Sequence, residues 1–269
     1  MSFPSHVEFE LTNNCQLSCI MCPHTIMKRQ RGYMLWETFK KAVDECKGFV
    51  KTSYLHQIGE PLIHPQIIKM IDYAANAGIR TSISTNCLLL DAEMSDRILK
   101  SKLTEITLCL DSLNQVVYEK IRVGSNFYKV IKNIEIFLLK KMESKSKIWV
   151  QLQMIKMKEN QDEWNSFRNF DKASVDEILV KPYSTFAGNV VKEEAENKYR
   201  LTCKKSFGCL TIQWNGDMVI CCRDFDGVTK IGNILTDKIV DIWNGQKYRE
   251  IRQAFIDKDY DKLPFCRSC

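Results

Sequence analysis

The stretch Cys15-Gln16-Leu17-Ser18-Cys19-Ile20-Met21-Cys22 limits what this chain can be more than any other. Its three cysteines, at Cys-x3-Cys-x2-Cys spacing, occupy one short loop directly after Val7–Leu11, an alternating run that reads as a strand. Thiolates so close in sequence can converge on one soft metal centre. Three of them, rather than four, leave one iron of a [4Fe–4S] cube without a protein ligand and open to a small molecule. A zinc knuckle is the competing reading, although zinc sites favour paired Cys-x2–4-Cys units and a fourth protein donor.

The 269 residues allow one large α/β domain with a small appendage. Hydrophobic residues make up 45% and charged residues 27%, the proportions of an ordinary folded globule. The net charge of +6 is scattered among acids, without the block or stripe of a nucleic-acid surface, so no nucleic-acid partner is expected. MSFPSHVEFE has no basic stretch followed by an apolar run, and no later segment reaches about 18 uninterrupted apolar residues. Neither a signal peptide nor a membrane span is expected, and the location read from this is cytoplasmic. In that setting the 12 cysteines speak for metal rather than disulfides.

As far as residue 183, strand-like runs at Val7–Leu11, Tyr54–Ile58, Arg80–Thr85, Glu105–Leu110, Ile148–Ile155 and Glu177–Tyr183 alternate with helical patterns near 35–49, 66–77, 91–101, 126–143 and 160–172. Asp91 and Asn160 suit N-caps, and Gly78 a position just past a helix end. Such alternation gives a parallel sheet with helices outside it. Six strands fall short of a closed eightfold barrel, so the expected fold class is α/β, a partial (β/α)6 TIM-like barrel. Polar residues share one strand face: Glu8 with Glu10, Ser82 with Ser84 and Asn86, Thr107 with Cys109 and Asp111, Gln151 with Gln153, and Lys181 with Tyr183. With helices over the apolar faces, these line the interior, which a packed barrel would fill with branched apolar side chains. The interior therefore reads as a wet cavity for a polar ligand. The face of Tyr54–Ile58 is not assignable.

Residues 184–202 turn charged and lose periodicity, marking a linker between a core domain (1–183) and a C-terminal module (203–269). The module offers a hairpin Leu210–Cys222 across Asn215-Gly216, a type I′ turn signal, then a helical stretch Lys238–Ile256. Cys203-x17-Cys221 and Cys266-x2-Cys269 supply four thiolates, enough to close a metal site. Zinc also suits four cysteines, and Cys209 and Cys222 are near enough to compete as ligands. Cys46 and Cys87 read as structural.

The three-cysteine loop, followed by Gly59-Glu60-Pro61, Thr85-Asn86, Cys109-Leu110-Asp111 and Arg122, resembles the radical S-adenosylmethionine (radical SAM) superfamily. The resemblance implies that Cys15, Cys19 and Cys22 hold a [4Fe–4S] cluster whose open iron chelates the amino and carboxylate groups of SAM. It places Met21, Gly59, Glu60, Pro61, Ser84, Asn86, Cys109, Asp111 and Arg122 around SAM: Gly59–Pro61 at its amino group, Cys109 in place of a serine, Arg122 at its carboxylate. Met21 stands where the family often has an aromatic residue, and Cys87 where it often has glycine. Gly216-Asp217-Met218-Val219-Ile220-Cys221, Gly232-Asn233-Ile234 and Ile242-Trp243-Asn244 resemble the SPASM module in its shortened twitch form. That implies one auxiliary [4Fe–4S] cluster on Cys203, Cys221, Cys266 and Cys269.

By this resemblance, SAM is cleaved to methionine and a 5′-deoxyadenosyl radical that abstracts hydrogen from substrate. An external donor such as flavodoxin or ferredoxin supplies the electron. A fully ligated auxiliary cluster suits electron transfer: a ketyl radical left at a deprotonated carbinol gives it one electron and becomes a ketone. Length and cysteine layout are similar to those of the twitch dehydrogenases that oxidise an aminocyclitol alcohol. A sugar or aminocyclitol is therefore the expected small-molecule substrate. Lys181 and Tyr183, facing inward at the sixth strand's end, are the candidate general bases. They serve equally as substrate hydrogen-bonding groups or as partners for Glu8 or Glu10. The alternative is a maturase that forms a thioether, crosslink or epimerised residue in a precursor peptide. Such proteins often carry an N-terminal recognition domain, and 14 residues precede Cys15 here. A non-catalytic carrier with two clusters is a third reading, against which the polar lining speaks.

Overall fold

The computed structural model describes residues 3–169, 174–190, 203 and 207–267. In chain order the strands are β1 (His6–Phe9), β2 (Thr52–Tyr54), β3 (Arg80–Thr85), β4 (Glu105–Cys109), β5 (Trp149–Ile155), β6 (Glu177–Lys181), β7 (Cys209–Ile212), β8 (Asp217–Val219) and β9 (Lys230–Asn233). The helices are α1 (Trp36–Cys46), α2 (Ile67–Asn76), α3 (Ala92–Lys100), α4 (Gln115–Ile121), α5 (Phe127–Ser144), α6 (Trp164–Phe167), α7 (Ile239–Asn244) and α8 (Gln246–Asp257). No helix among the described residues is long and apolar enough to cross a membrane.

The first six strands are all parallel, in the order β6-β5-β4-β3-β2-β1, and form the partial barrel. Their outward side chains, Val7, Phe9, Ile83, Ile106, Leu108, Val150 and Leu152, are buried. Against them pack Phe39 and Val43 of α1, Met70 and Ile71 of α2, Ile98 of α3, and Ile134 and Phe137 of α5. Phe9 and Phe39 meet edge to face at 5.3 Å. Burying each such large apolar side chain stabilises the fold by about 1.5–3 kcal/mol. Asp91 accepts from the Met94 amide at 2.9 Å and starts α3 as expected.

The sheet does not stop at the barrel. Strand β7 pairs in parallel with β1, and β8 and β9 extend the sheet in antiparallel fashion. The C-terminal hairpin therefore continues the barrel sheet past β1. Several contacts reinforce the junction. Arg29, from the loop after β1, pairs with buried Glu10 at 2.5 Å. The Asp226 carboxylate accepts from the Lys28 amide at 2.8 Å, and the Trp214 indole donates to the Gln30 carbonyl at 3.2 Å. Within the C-terminal module, the Arg252 guanidinium of α8 lies 4.1 Å from the ring centres of Trp243 and Tyr248, themselves 4.8 Å apart, and donates to the Trp243 carbonyl at 2.8 Å.

The structure departs from several sequence expectations. The hairpin turn is not type I′: Gly216 has φ +86, but Asn215 is not left-handed, and the Gly216 amide donates to the Gln213 carbonyl at 2.8 Å. This is a type I turn closed by a left-handed glycine. The 238–256 stretch breaks into two helices where the chain turns extended at Gly245. Strand β2 lies earlier than Tyr54–Ile58, because after Leu55 the chain diverts so that Gln57 can bond the Cys222 carbonyl at 2.8 Å. Asn160 is no N-cap. Its amide donates to the carbonyls of Asp111 (2.7 Å) and Ile155 (2.9 Å), which leaves a 3-10 turn over Lys158–Glu163 and only a short α6. Residues 170–172 of that expected helix, and 191–202 of the expected linker, lie outside the described residues.

Candidate active site

Register decides what faces the interior. Glu8 pairs with Tyr54, Tyr54 with Ser82, and Ser82 with Glu105. Ser84 pairs with Thr107 and Thr107 with Gln151, while Cys109 pairs with Gln153. Paired residues share a face, so these polar side chains form rows across the inner surface of the barrel. The face of β2, unreadable in the sequence, is now fixed: Tyr54 is inward. His56, two residues on, joins it and accepts from the Ser84 amide at 3.1 Å through Nδ1. Burial pushes the His56 pKa down to about 4, against the pull of Glu8. Sequence reading missed His56, and only its even spacing from Tyr54 could have pointed to it.

Cys15, Cys19 and Cys22 lie in a loop beyond the C-terminal end of β1, pinned to the segment that ends α4. The Ser18 amide donates to the Val123 carbonyl at 2.9 Å and the Ile20 amide to the Ile121 carbonyl at 3.0 Å. That pairing delivers Arg122, whose Nη1 stands 4.0 Å from Cys19 Sγ. Arg122 also grips Asp111, with Nε and Nη2 both on one carboxylate oxygen at 2.7 and 2.6 Å. Burial works against the guanidinium's charge, but Asp111 and the neighbouring thiols outweigh it and hold its pKa above the ordinary value. The other Asp111 oxygen accepts from the Ile155 amide at 2.7 Å. Met21 is buried in an apolar group with Leu17, Cys19, Ile121 and Met157, against which Tyr183 packs.

Gly59 lies against the strand that enters the cysteine loop. A Cβ there would collide with the Thr12 carbonyl oxygen and stand 2.7 Å from that of Asn14, so only glycine fits. Glu60 is buried, and its amide donates to the Asn14 carbonyl at 2.8 Å. One of its carboxylate oxygens accepts from Thr85 Oγ1 at 2.8 Å and the Leu62 amide at 3.1 Å, the other from the Asn86 amide at 2.8 Å. Its carboxylate thus ties the Gly59–Pro61 segment to the end of β3. Desolvation raises its pKa despite these bonds. Asn86 accepts from Gln16 at 3.1 Å and reaches to 3.8 Å from Cys15 Sγ. Ser84 Oγ and Cys109 Sγ are 3.1 Å apart, and Gln153 Nε2 lies 3.5 Å from the same sulfur.

The structure thus brings the three cysteines together with Gly59, Glu60, Asn86, Asp111 and Arg122. Lys181 ends β6, where its carbonyl accepts from the Lys156 amide at 2.8 Å. Neither Lys181 nor Tyr183 is the Glu10 partner that the sequence allowed; Arg29 takes that place.

The donor set fits an iron–sulfur cube. Cys15, Cys19 and Cys22 share one short loop, and the charges of Cys15 and Cys19 add to burial in raising the Cys22 pKa. Burial pushes the Cys15 thiol up to about 11 and Cys22 to about 12, so a bound cation must displace their protons. N–H groups of Leu17, Asn86 and Arg122 point at the sulfurs, as donors around cluster thiolates do. At the other end, Cys203 and Cys266 pack on the apolar group Ala254, Phe255 and Leu263. Tyr248 donates to the Cys209 carbonyl at 3.3 Å, and burial, with the charges of Cys209, Cys221 and Cys203, raises its pKa. Cys269 lies outside the described residues. Cys209, one of the two competing ligands with Cys222, begins β7 in register with His6 inside the sheet.

Residues 9–170 match the model of the radical SAM superfamily, and residues 203–269 match SPASM, an iron-sulfur cluster-binding domain. The chain belongs to the radical SAM superfamily. As a radical SAM protein it binds SAM and a [4Fe–4S] cluster, and its SPASM segment carries auxiliary iron–sulfur. It is 24% identical over 314 residues to the tungsten-containing aldehyde ferredoxin oxidoreductase cofactor-modifying protein of Pyrococcus furiosus, covering 98% of this chain and 86% of that one. It is 25% identical over 133 residues to the mycofactocin maturase MftC of Mycobacterium ulcerans, covering 49% and 34%. Thus it spans about a third of that relative's length. Among solved structures it resembles BtrN in complex with AdoMet and 2-DOIA, with a TM-score of 0.67, 16% identity and coverage of 98% and 92%. Streptococcus suis SuiB bound to the precursor peptide SuiA superposes with a TM-score of 0.74 at 18% identity, covering 94% and 67%. Both likenesses are of fold.

Proposed function

We propose that this radical SAM enzyme oxidises an alcohol carbon of a small hydroxylated molecule, a sugar or aminocyclitol, to a ketone. When bound, SAM and its cluster supply a 5′-deoxyadenosyl radical that takes one hydrogen atom, and one auxiliary [4Fe–4S] cluster supplies an acceptor for the second electron. The observation that carries the reading is the inner face of the sheet. Ser82, Ser84, Glu105, Thr107, Gln151 and Gln153 line it in registered rows, offering donors and acceptors suited to hydroxyl groups.

The chain's own residues then divide the work. Gly59 lets backbone approach the SAM amino group, and Glu60 holds that segment against the end of β3. Arg122, kept charged by Asp111, binds the SAM carboxylate, a charge-assisted contact. Met21, Pro61, Ser84, Asn86 and Cys109 complete the walls around SAM. Lys181 or Tyr183 removes the carbinol proton at the C-terminal end of β6. Cys203, Cys221, Cys266 and Cys269 close the auxiliary site with thiolate alone, which leaves no iron for substrate and suits electron transfer. A flavodoxin or ferredoxin donates the first electron.

The second reading, modification of a precursor peptide, draws on the likeness to SuiB. The test is anaerobic incubation with SAM, a reductant and polyols or aminocyclitols deuterated at each carbinol carbon. Deuterium moving into 5′-deoxyadenosine, with one ketone formed per deoxyadenosine, supports the proposal. SAM cleavage that leaves every polyol unlabelled and unoxidised refutes it.

A further inference from the structure

We propose that His6, Glu8 and Cys209 form a binding site for a single zinc ion, at the end of β1 opposite the Cys15–Cys22 loop. Parallel register sets His6 against Cys209 and Glu8 against Thr211, so all three side chains share the inner face where β1 meets β7. One ligand atom from each, an imidazole nitrogen, a carboxylate oxygen and the thiol sulfur, lies within 4.8 Å of the other two. His6 Nε2 is 3.9 Å from Glu8 Oε1. Ligands bound to zinc at about 2.0–2.3 Å stand roughly 3.3–3.8 Å apart around a tetrahedron. A contraction of about 1.5 Å or less therefore converts this cluster into a coordination sphere, with a fourth position for water.

Three further features favour the site. The first is orientation. Thr52 Oγ1 lies 3.1 Å from His6 Nδ1; in the tautomer that donates there, Nε2 turns its lone pair toward Glu8. Thr211 Oγ1 donates to Glu8 Oε2 at 3.3 Å, and Oε1 is the oxygen that faces His6. Partners of this kind fix the ligands of metal sites. The Tyr54 ring, edge-on to His6 at 4.6 Å, restrains the imidazole. The second is charge: one carboxylate and one thiolate together match the charge of a divalent ion. The third is chemistry, since a mixed nitrogen, oxygen and sulfur set suits borderline-soft zinc and not magnesium or calcium. Bound there, zinc staples barrel strand β1 to C-terminal strand β7, the pair through which the hairpin joins the sheet.

The experiment uses holoenzyme reconstituted anaerobically to full iron content, so that zinc cannot enter empty cluster sites. It is dialysed against zinc chloride, and both metals are counted by mass spectrometry. Zinc-edge X-ray absorption then reads the ligands. About one zinc per chain beyond the iron is expected, with one sulfur neighbour at about 2.3 Å and lighter atoms at about 2.0 Å. Cys209→Ala and His6→Ala should each lose that zinc while keeping iron and 5′-deoxyadenosine formation. Thr52→Val should weaken zinc binding about ten- to hundredfold. Glu8→Gln, which keeps shape, carries the test should an alanine variant misfold; it too should lose the zinc. The proposal is overturned by wild-type holoenzyme that takes up no zinc, by a Cys209→Ala variant that keeps it, or by sulfur-only coordination. Loss of iron from a folded Cys209→Ala protein also overturns it, by making Cys209 a cluster ligand.

Discussion

The Asp111–Arg122 pair offers the sharpest energetic test of the site. Asp111 is fully buried and Arg122 is 7% exposed, and one Asp111 oxygen takes both guanidinium contacts, at 2.7 and 2.6 Å. Asp111→Asn keeps the shape and removes the charge. Arg122 is then a buried cation without its counter-ion, and breaking one side of such a pair costs about 3–5 kcal/mol. For a chain of this size, each kcal/mol lowers Tm by about 2–4 °C, so a fall on the order of 10 °C is expected. The double variant Asp111→Leu, Arg122→Met replaces both charges by apolar groups of similar bulk and should recover most of that loss. The assay is urea unfolding of wild type, Asp111→Leu, Arg122→Met and the double variant in a coupling cycle, with Asp111→Asn run beside them, under anaerobic conditions with iron counted before each run. A second readout separates stability from function: both Arg122→Met and the double variant should lose SAM binding, whatever their stability. A double variant as unstable as the sum of the single changes would refute the claim that the pair matters through its uncompensated charge.

Gly59→Ala should raise KM for SAM at least about tenfold and destabilise by about 1–3 kcal/mol, because its Cβ overlaps the Thr12 carbonyl and crowds that of Asn14. SAM titration and urea melts check both, and wild-type behaviour would mean that this close approach is not needed. His56 should make stability fall with acid. Its folded pKa is about 4 against an ordinary 6.5, so between those values the unfolded chain holds a proton that the folded chain lacks. Its contribution is complete above pH 6.5, and about 1 kcal/mol is lost between pH 7.5 and 5.5. His56→Gln should flatten that part of the profile in urea melts, and an unchanged slope would contradict the burial argument.

Much of the barrel was legible because parallel strands bury one apolar face, and two-residue alternation records it. Arg80–Thr85 is bounded in the structure as in the sequence, and Asp91 caps its helix. Short apolar runs near the barrel rim were less informative. Tyr54, Leu55 and Ile58 read as strand, although hydrogen bonding to β3 ends sooner, and the short α4 before Arg122 gave no periodic signal. Pairing between β1 and β7 joins residues about two hundred positions apart and leaves no local mark. Nothing local in the sequence marks Arg29 as the partner of Glu10, where the fold places it. In the site, the cysteines and Gly59 were readable because their chemistry admits few substitutes. His56 and the junction of His6, Glu8 and Cys209 were not, because register alone brings them inward.

The central claim is that two thiol sets divide the work, one for SAM cleavage and one for accepting the substrate's electron. It is tested by counting iron and 5′-deoxyadenosine in two variants. Cys15→Ala, Cys19→Ala, Cys22→Ala should keep about half the iron and form no 5′-deoxyadenosine, since four of about eight irons belong to each cube. Cys221→Ala, Cys266→Ala should also keep about half, and should still cleave SAM but yield no ketone. SAM cleavage by the first variant, or full ketone yield from the second, would contradict the account.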